Sequence, residues 1–211
     1  LTSVFSEFSD WDITSNPFPK ITYKDAMLKY GTDKPDLRNP LEICDVTDAF
    51  LHEGVTFNAF KEQIIKGAVV RGIAAYNVMD KPRSFFDKLN SWAQGQGQPG
   101  LGYILLSDGE AKGPIGKFLS KEAIDIIKNK ANAKNGDAIF FICNKVKEAE
   151  NFAGKSRMKI AEDMDIIEKN VFKFCWTVDF PMYELDENTN SIVFSHNPFS
   201  MPQGGMEALE N

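Results

Sequence analysis

The histidine at position 196 is the residue with the clearest capacity for ligand chemistry. His196 lies in Ser195-His196-Asn197-Pro198-Phe199, directly after an apolar run that predicts a strand. Rigid scaffolds present functional side chains at strand ends and in the loops that follow them. An imidazole can donate a hydrogen bond to a carboxylate ligand in either protonation state. We therefore take His196 as a candidate binding residue, with a structural role as the alternative.

The remaining histidine and the cysteines do not suggest a metal site. His52 stands before Glu53-Gly54 in a polar stretch and is predicted to be exposed. Cys44, Cys143 and Cys175 are far apart, odd in number and flanked by apolar residues, without the spacing of metal ligands. We predict reduced thiols, no metal site, and a cytoplasmic location. The pattern also identifies no catalytic residue.

The segment Gly95-Gln96-Gly97-Gln98-Pro99-Gly100 matches the dinucleotide fingerprint GxGxxG. In that fingerprint the glycines follow a strand and open a helix. Here they follow a predicted helix and precede a predicted strand, and Pro99 lacks the backbone N–H that a pyrophosphate would use. The sequence favours a loop over a nucleotide site.

Clustered cations toward the C-terminal part raise the question of RNA binding. They are Lys145, Lys147, Lys155, Arg157 and Lys159. Such a face could contact a phosphate backbone. Acidic residues are interleaved with them: Glu148, Glu150, Glu162 and Asp163. Alternating charges of this kind favour a solvated helix face. A chain with net charge −6 also lacks a broad basic footprint, so any nucleic-acid contact should be local.

Two other groups of charged residues are assigned structural roles. Asp33, Lys34, Asp36 and Arg38 surround Pro35 and precede Pro40, where ion pairs could fix the path of a linker. Asp179 ends an apolar strand before Pro181. It could be a buried carboxylate, which would need a hydrogen-bonding partner, but an anchor at the strand end is favoured.

The elements that must position these residues follow from periodicity and end signals. Leu1, Val4, Phe5 and Phe8 have helical spacing, and we expect this helix to begin before the first residue. Thr22 with Asp25 predicts a cap for a second helix, which should end at Gly31.

Between the prolines and residue 170 the pattern predicts strands mixed with helices. Strands are expected at 68–70, 73–76, 101–106 and 138–143, and helices at 82–92, after Ser120, and up to about residue 167. After Asn170, the runs 172–180 and 191–195 should form an antiparallel hairpin. No apolar run reaches the ~20 residues that span a bilayer. We predict an α+β fold whose central unit is a two-layer domain, with helices on one face of a sheet.

Three motifs resemble bacterial aspartyl-tRNA synthetases. They are Ile21-Thr22-Tyr23 through Tyr30-Gly31-Thr32-Asp33-Lys34-Pro35-Asp36-Leu37-Arg38, then Gly113-Pro114-Ile115-Gly116-Lys117-Phe118-Leu119-Ser120, and Trp176-Thr177-Val178-Asp179-Phe180-Pro181. Residues 195–202 agree in order and spacing. In that family a class II catalytic domain, built on an antiparallel sheet, is interrupted by a GAD domain. The resemblance implies catalytic-domain chain over 1–40, the GAD domain over 41–167, and returning catalytic strands with a substrate loop over 168–211.

The resemblance also implies an activity that this chain would share only as part of a longer enzyme. The family joins aspartate to ATP with Mg²⁺ and transfers the aspartyl group to tRNA(Asp), in some members also to tRNA(Asn). Its homodimeric enzymes carry the arginines of this chemistry in motifs expected before Leu1 and after Asn211, so the chain alone should be inactive. His196 matches the first histidine of His-His-Pro-Phe and would bind L-aspartate. Asn197 replaces the second histidine and can still form hydrogen bonds.

A different class of function remains open. A GAD domain also occurs in the B subunit of an amidotransferase, so a stand-alone module that binds tRNA or a protein is the alternative. Within a synthetase, the GAD domain could itself contact tRNA or an amidotransferase partner. The Trp176–Pro181 segment and the 195–202 loop favour the synthetase.

Overall fold

The computed structural model describes residues 1–186, 189–195, 204, 206 and 207. Its helices are α1 (Thr2–Phe8), α2 (Tyr23–Tyr30), α3 (Thr47–Leu51), α4 (Asn58–Ile65), α5 (Arg83–Gly95), α6 (Lys121–Lys130) and α7 (Val146–Met164), with a 3₁₀ turn at Gly116–Phe118. Its strands are β1 (Asp12–Ile13), β2 (Lys20–Thr22), β3 (Ile43–Asp45), β4 (Val69–Ala75), β5 (Gly102–Ser107), β6 (Glu110–Lys112), β7 (Ala138–Asn144), β8 (Val171–Phe172), β9 (Trp176–Val178), β10 (Tyr183–Asp186) and β11 (Ser191–Phe194).

A five-stranded antiparallel sheet forms the centre of the chain, in the order β3-β4-β7-β5-β6. Strand β7 lies in its middle, where Gly72 faces Phe141 on one side and Gly102 faces Phe141 on the other. The two apolar pieces predicted at 68–70 and 73–76 are one continuous strand, β4. The predicted strands and helices of this central part are otherwise confirmed, whereas β3, β6, α3 and α4 were not predicted.

Helices cover both faces of this sheet, so the predicted arrangement with helices on one face is wrong. Along β7, Phe140 packs in the core under α5 and α7, and its neighbour Phe141 packs in a second core with α3 and α6. A strand buried on both faces has a nearly continuous apolar run rather than an alternating one. The run Ala138–Cys143 has this pattern, and the central part therefore has three layers.

The segments before and after this sheet pair with each other. Strand β2 runs parallel to β9, with Lys20 opposite Trp176 and Thr22 opposite Val178. Strand β1 likewise runs parallel to β8. Phe5 of α1 packs edge-on against Phe172 and Phe174, with ring centroids 4.7 and 4.9 Å apart. Residues on either side of the central sheet thus share one small aromatic cluster.

These pairings correct one expectation. The predicted hairpin between 172–180 and 191–195 does not form, because β11 pairs antiparallel with β10 instead. The shorter connection from Asp186 to Ser191 brings those two strands together. The flanking ladders β1–β8 and β2–β9 are parallel and two strands wide, so they do not test the larger antiparallel sheet that the resemblance implies. No complete catalytic domain is present among the described residues.

Local signals define α2. This helix leads from the paired segments before and after the central sheet, which we call the flank, into that sheet. The Thr22 hydroxyl accepts a hydrogen bond from the Asp25 N–H at 3.0 Å and so caps α2. The helix ends at Gly31, which adopts the left-handed conformation with φ of 69°. Both predicted ends of α2 are confirmed. None of the described helices is long and apolar enough to cross a bilayer.

Candidate functional site at the crossing of the two chain segments

Two segments connect the flank with the central sheet: residues 31–41, which we call the outgoing segment or linker, and residues 165–170, the returning segment. They meet at one place, which we call the crossing. The Glu168 N–H donates to the Arg38 carbonyl at 3.1 Å, so the outgoing and returning segments touch. Farther along, the Thr177 hydroxyl of β9 donates to the Asp33 carbonyl at 2.9 Å. The outgoing segment is therefore held at two points, by the returning segment and by β9.

A buried arginine from α7 organises the outgoing segment. The guanidinium of Arg157 is 1% exposed and donates to three backbone carbonyls. Its Nε lies 2.6 Å from the Leu41 oxygen, and its Nη2 lies 3.0 Å from the Asp36 oxygen and 2.7 Å from the Asn39 oxygen. The guanidinium carbon lies 4.9 Å from the centre of the Tyr30 ring. Burial lowers the pKa of Arg157 to about 10, so the group remains charged near neutral pH.

Asn39 completes this network from the opposite side. Its side-chain amide donates to the Arg157 carbonyl at 3.1 Å, and its Oδ1 accepts from the Leu41 N–H at 3.0 Å. Asn39 is 2% exposed. Because both buried side chains bond to backbone of the other segment, the contact fixes the chain path on α7 as well as on the linker.

The end of α2 approaches α7 without intervening side chains. A Cβ added to Gly31 would overlap the Glu150 carbonyl oxygen and lie 2.6 Å from the Gly154 Cα. A Cβ added to Gly154 would lie 3.0 Å from the carbonyl oxygens of Tyr30 and Gly31. Glycine at both positions therefore allows backbone-to-backbone contact between the two helices.

Charged residues of the predicted linker stabilise its fold, as the sequence indicated. Arg38 binds Asp36 through two parallel hydrogen bonds, Nε to Oδ1 at 2.9 Å and Nη2 to Oδ2 at 2.7 Å. The hydrogen bond from Arg38 is the largest cause that lowers the pKa of Asp36. Lys34 pairs with Asp33 at 3.1 Å, in a largely exposed position. The ion pairs that the sequence predicted within this linker are therefore present.

A cleft of 580 Å³ opens beside the crossing, between the outgoing segment, α7 and the end of α5. Among the side chains that line it are Lys34, Trp92, Asn151, Lys155 and Glu162. Trp92 stacks on Phe152 with ring planes 16° apart. The lining carries both charge signs, so its electrostatics do not single out an anionic or a cationic ligand.

The basic residues of α7 do not all lie on one exposed face. Arg157 is buried and directed at the linker, which the sequence interpretation of a solvated face missed. Lys147 pairs with Glu184 at 3.0 Å, and Lys159 pairs with Asp163 at 2.7 Å one turn away. Pairing of this kind is typical of a solvated helix face, the favoured prediction for the other lysines.

A second buried arginine lies under the first half of α7. Arg71 of β4 is 5% exposed, pairs with Asp45 of β3, and lies 3.5 Å from Glu150 of α7. Its Nε has no partner within the described residues. Burial raises the pKa of Glu150 against the opposing effect of Arg71. For Asp45, burial acts to raise the pKa, but the hydrogen bonds with Thr47 and the charge of Arg71 together lower it below its ordinary value.

The three cysteines are free thiols and half-buried. Burial raises the pKa of Cys44 and of Cys143 to about 11, and it also raises that of Cys175. All three are therefore protonated at neutral pH and poor nucleophiles. Among the described residues, no three His, Cys, Asp or Glu side chains come together as metal ligands.

The residue proposed to bind a ligand, His196, lies outside the described residues, as does Asn197. Asp179 is exposed in a left-handed conformation directly after β9, so its carboxylate is not buried by any part of this chain that the structure describes. His52 is half-buried rather than exposed, with its Nδ1 2.8 Å from the Glu53 carbonyl. Gly95–Gly100 forms the end of α5 and the loop before β5, as predicted.

The spacing of residues along α7 indicates that Arg157 is buried, although the charge pattern suggested a surface residue. Ala149, Ala153, Arg157 and Ala161 recur every four residues along α7, and all four are buried. A single arginine in a stripe of small residues on a helix indicates that it points inward, since small neighbours leave room for it. Counting the arginine among the surface cations obscured this position.

Comparison with known proteins agrees with the motifs. Residues 60–153 match the GAD domain family. The whole chain is 56% identical to an aspartate--tRNA(Asp/Asn) ligase of Paramagnetospirillum magneticum, and 99% of the chain is 53% identical to one of Rickettsia bellii. It is 50% identical over its whole length to one of Beijerinckia indica. The resemblance is confirmed, and the chain spans 24%, 34% and 36% of the length of these relatives.

Proposed function

We propose that this chain is the part of an aspartate--tRNA ligase in which a GAD domain is inserted between catalytic-domain segments. The observation that carries the proposal is that residues on both sides of the GAD domain pair with each other, β2 with β9, while the similarity to ligases extends through both of them. A stand-alone GAD module would have no need of these flanking strands. The insert would comprise about residues 41–167, with catalytic-domain chain before and after it.

The proposed reaction activates aspartate with ATP and transfers the aspartyl group to tRNA. The relatives are named for both tRNA(Asp) and tRNA(Asn), and we infer the same pair of substrates for the full-length enzyme. ATP and Mg²⁺ would supply the activated phosphate and its charge neutralisation. Among the residues that the structure describes, no three His, Cys, Asp or Glu side chains come together to hold the Mg²⁺. A cytoplasmic, homodimeric enzyme is part of the same proposal.

Within this chain, His196 is proposed to bind the substrate L-aspartate. Its imidazole would donate a hydrogen bond to a carboxylate of the amino acid, and Asn197 would offer an amide beside it. The loop that carries them follows β11, and β11 is held by β10, whose Glu184 pairs with Lys147 of α7. This ion pair connects the hairpin before the substrate loop with the GAD domain.

Aspartate-dependent exchange of pyrophosphate into ATP tests this assignment in the full-length enzyme. We expect His196→Ala to raise the aspartate concentration needed for half-maximal exchange by about tenfold, the effect of losing ~1.4 kcal/mol from a hydrogen bond to a charged group. The affinity for ATP should stay unchanged. The matched control is His52→Ala, which removes the other imidazole, in the segment between α3 and α4. An unchanged dependence of exchange on aspartate concentration in His196→Ala would show that His196 does not bind aspartate.

A further inference from the structure

The crossing contains an arginine whose contribution to the fold differs from that of an apolar core residue. Arg157 occupies the buried stripe of α7 between Ala153 and Ala161. Placing a guanidinium there costs desolvation, which an apolar side chain of similar size would avoid. What only the guanidinium provides is its set of directed N–H donors.

Two of the guanidinium nitrogens, Nε and Nη2, donate to one stretch of backbone. The acceptors are the carbonyls of Asp36, Asn39 and Leu41, which span the whole second half of the outgoing linker. A planar guanidinium presents its donors in a fixed geometry, whereas a lysine ammonium is a point donor on a flexible stem. Three simultaneous bonds therefore fix the linker in one path against α7.

The same linker is joined to the flank. Asp33 accepts from Thr177 of β9, and Arg38 accepts from the backbone of Glu168 in the returning segment. At the start of the linker, Gly31 rests directly on Gly154. A connection therefore runs without interruption from α7 through the linker to the strands that flank the sheet.

We propose that Arg157 is a positioning residue that fixes the orientation of the GAD domain relative to the flanking strands, acting through the linker. In the proposed ligase, and resting on that function, these strands lead to the loop with His196. The Pro35–Pro40 segment is then a rigid joint, and the domain and the flanks move as one body. Removal of the guanidinium frees the linker and converts the joint into a hinge.

The distance between two spin labels measures this orientation without any enzymatic activity. One label is placed at Glu7 on α1 in the flank and the other at Lys88 on α5 in the domain, both exposed positions. Keto-amino-acid labels leave the native cysteines unmodified. We expect a single narrow distance distribution for the parent chain. Arg157→Gln keeps a polar side chain but loses the positive charge and the directed donors of the guanidinium. It should broaden the distance distribution about twofold or more, as for a loosened hinge.

Lys155→Gln is the matched control, because it removes one positive charge from the same helix at a side chain outside the linker network. It should leave the distribution narrow. If Arg157→Gln does not fold, Arg157→Lys replaces it, since a lysine keeps the positive charge but cannot make the three directed hydrogen bonds to the linker. Broadening in the folded variant supports the proposal, and an unchanged width overturns it. Pyrophosphate exchange by the full-length enzyme reports separately on the proposed function.

Discussion

Replacing Gly31 by alanine should separate two helices that now touch through their backbones. Gly31 has φ of 69°, and a non-glycine residue in this conformation costs about 1–2 kcal/mol. The added Cβ would also overlap the Glu150 carbonyl oxygen of α7. Overpacking of this kind adds about 1–3 kcal/mol, because a helix backbone cannot rotate aside as a side chain can. We therefore expect a loss of about 2–5 kcal/mol in the free energy of unfolding.

Gly97→Ala is the matched control. Gly97 has φ of 79° but nothing within 4 Å of an added Cβ, so it should lose only the conformational part, about 1–2 kcal/mol. The difference between the two variants in the free energy of unfolding therefore measures the contact between α2 and α7 alone. Thermal unfolding followed by circular dichroism should place Gly31→Ala about 2–12 °C below Gly97→Ala, at about 2–4 °C per kcal/mol for a chain of this size. Equal midpoints would refute close contact between α2 and α7.

Two further changes test local elements of the same account. Asp36→Asn should lower the free energy of unfolding at pH 7, because the pKa of Asp36 is held below its ordinary 3.8 by Arg38. A carboxyl with a depressed folded pKa stabilises above its unfolded value, so denaturant titrations should show the gap between parent and variant closing as the pH falls below 3.8; a gap that persists in acid would contradict the assignment. Ser120→Ala removes the hydroxyl that accepts from the Ala123 N–H at 3.3 Å and should cost about 1 kcal/mol in the same titrations, whereas no loss would exclude a cap at α6.

The sequence predicted those elements whose signals are local. Thr22 and Gly31 define α2 because a side-chain cap and a left-handed residue act within one turn. Ser120 and the strand at Ala138–Cys143 were found for the same reason. The two short helices α3 and α4 were missed, since five and eight residues give too little periodicity to distinguish a helix from a loop.

Pairings between distant residues were not predictable in the same way. Nothing near Phe172 indicates that β8 lies beside β1, more than 150 positions away, or that β11 selects β10. The unbroken apolar run of β7 is typical of a strand buried on both faces. The sequence predicted this run only as a strand, and the second layer of helices was therefore missed. The role of Arg157 depends on carbonyls more than 110 positions away and becomes visible only in three dimensions.

Excision of the insert is the most direct test of the account, which holds that the flanks form one catalytic body from which the GAD domain emerges. In the full-length enzyme, residues 41–167 are replaced by a short Gly-Ser linker. Such a linker should suffice, because the backbones of Arg38 and Glu168 are already hydrogen-bonded at 3.1 Å. We predict that the shortened enzyme folds and retains aspartate-dependent pyrophosphate exchange. An unfolded product, or a folded one without exchange, would contradict the account.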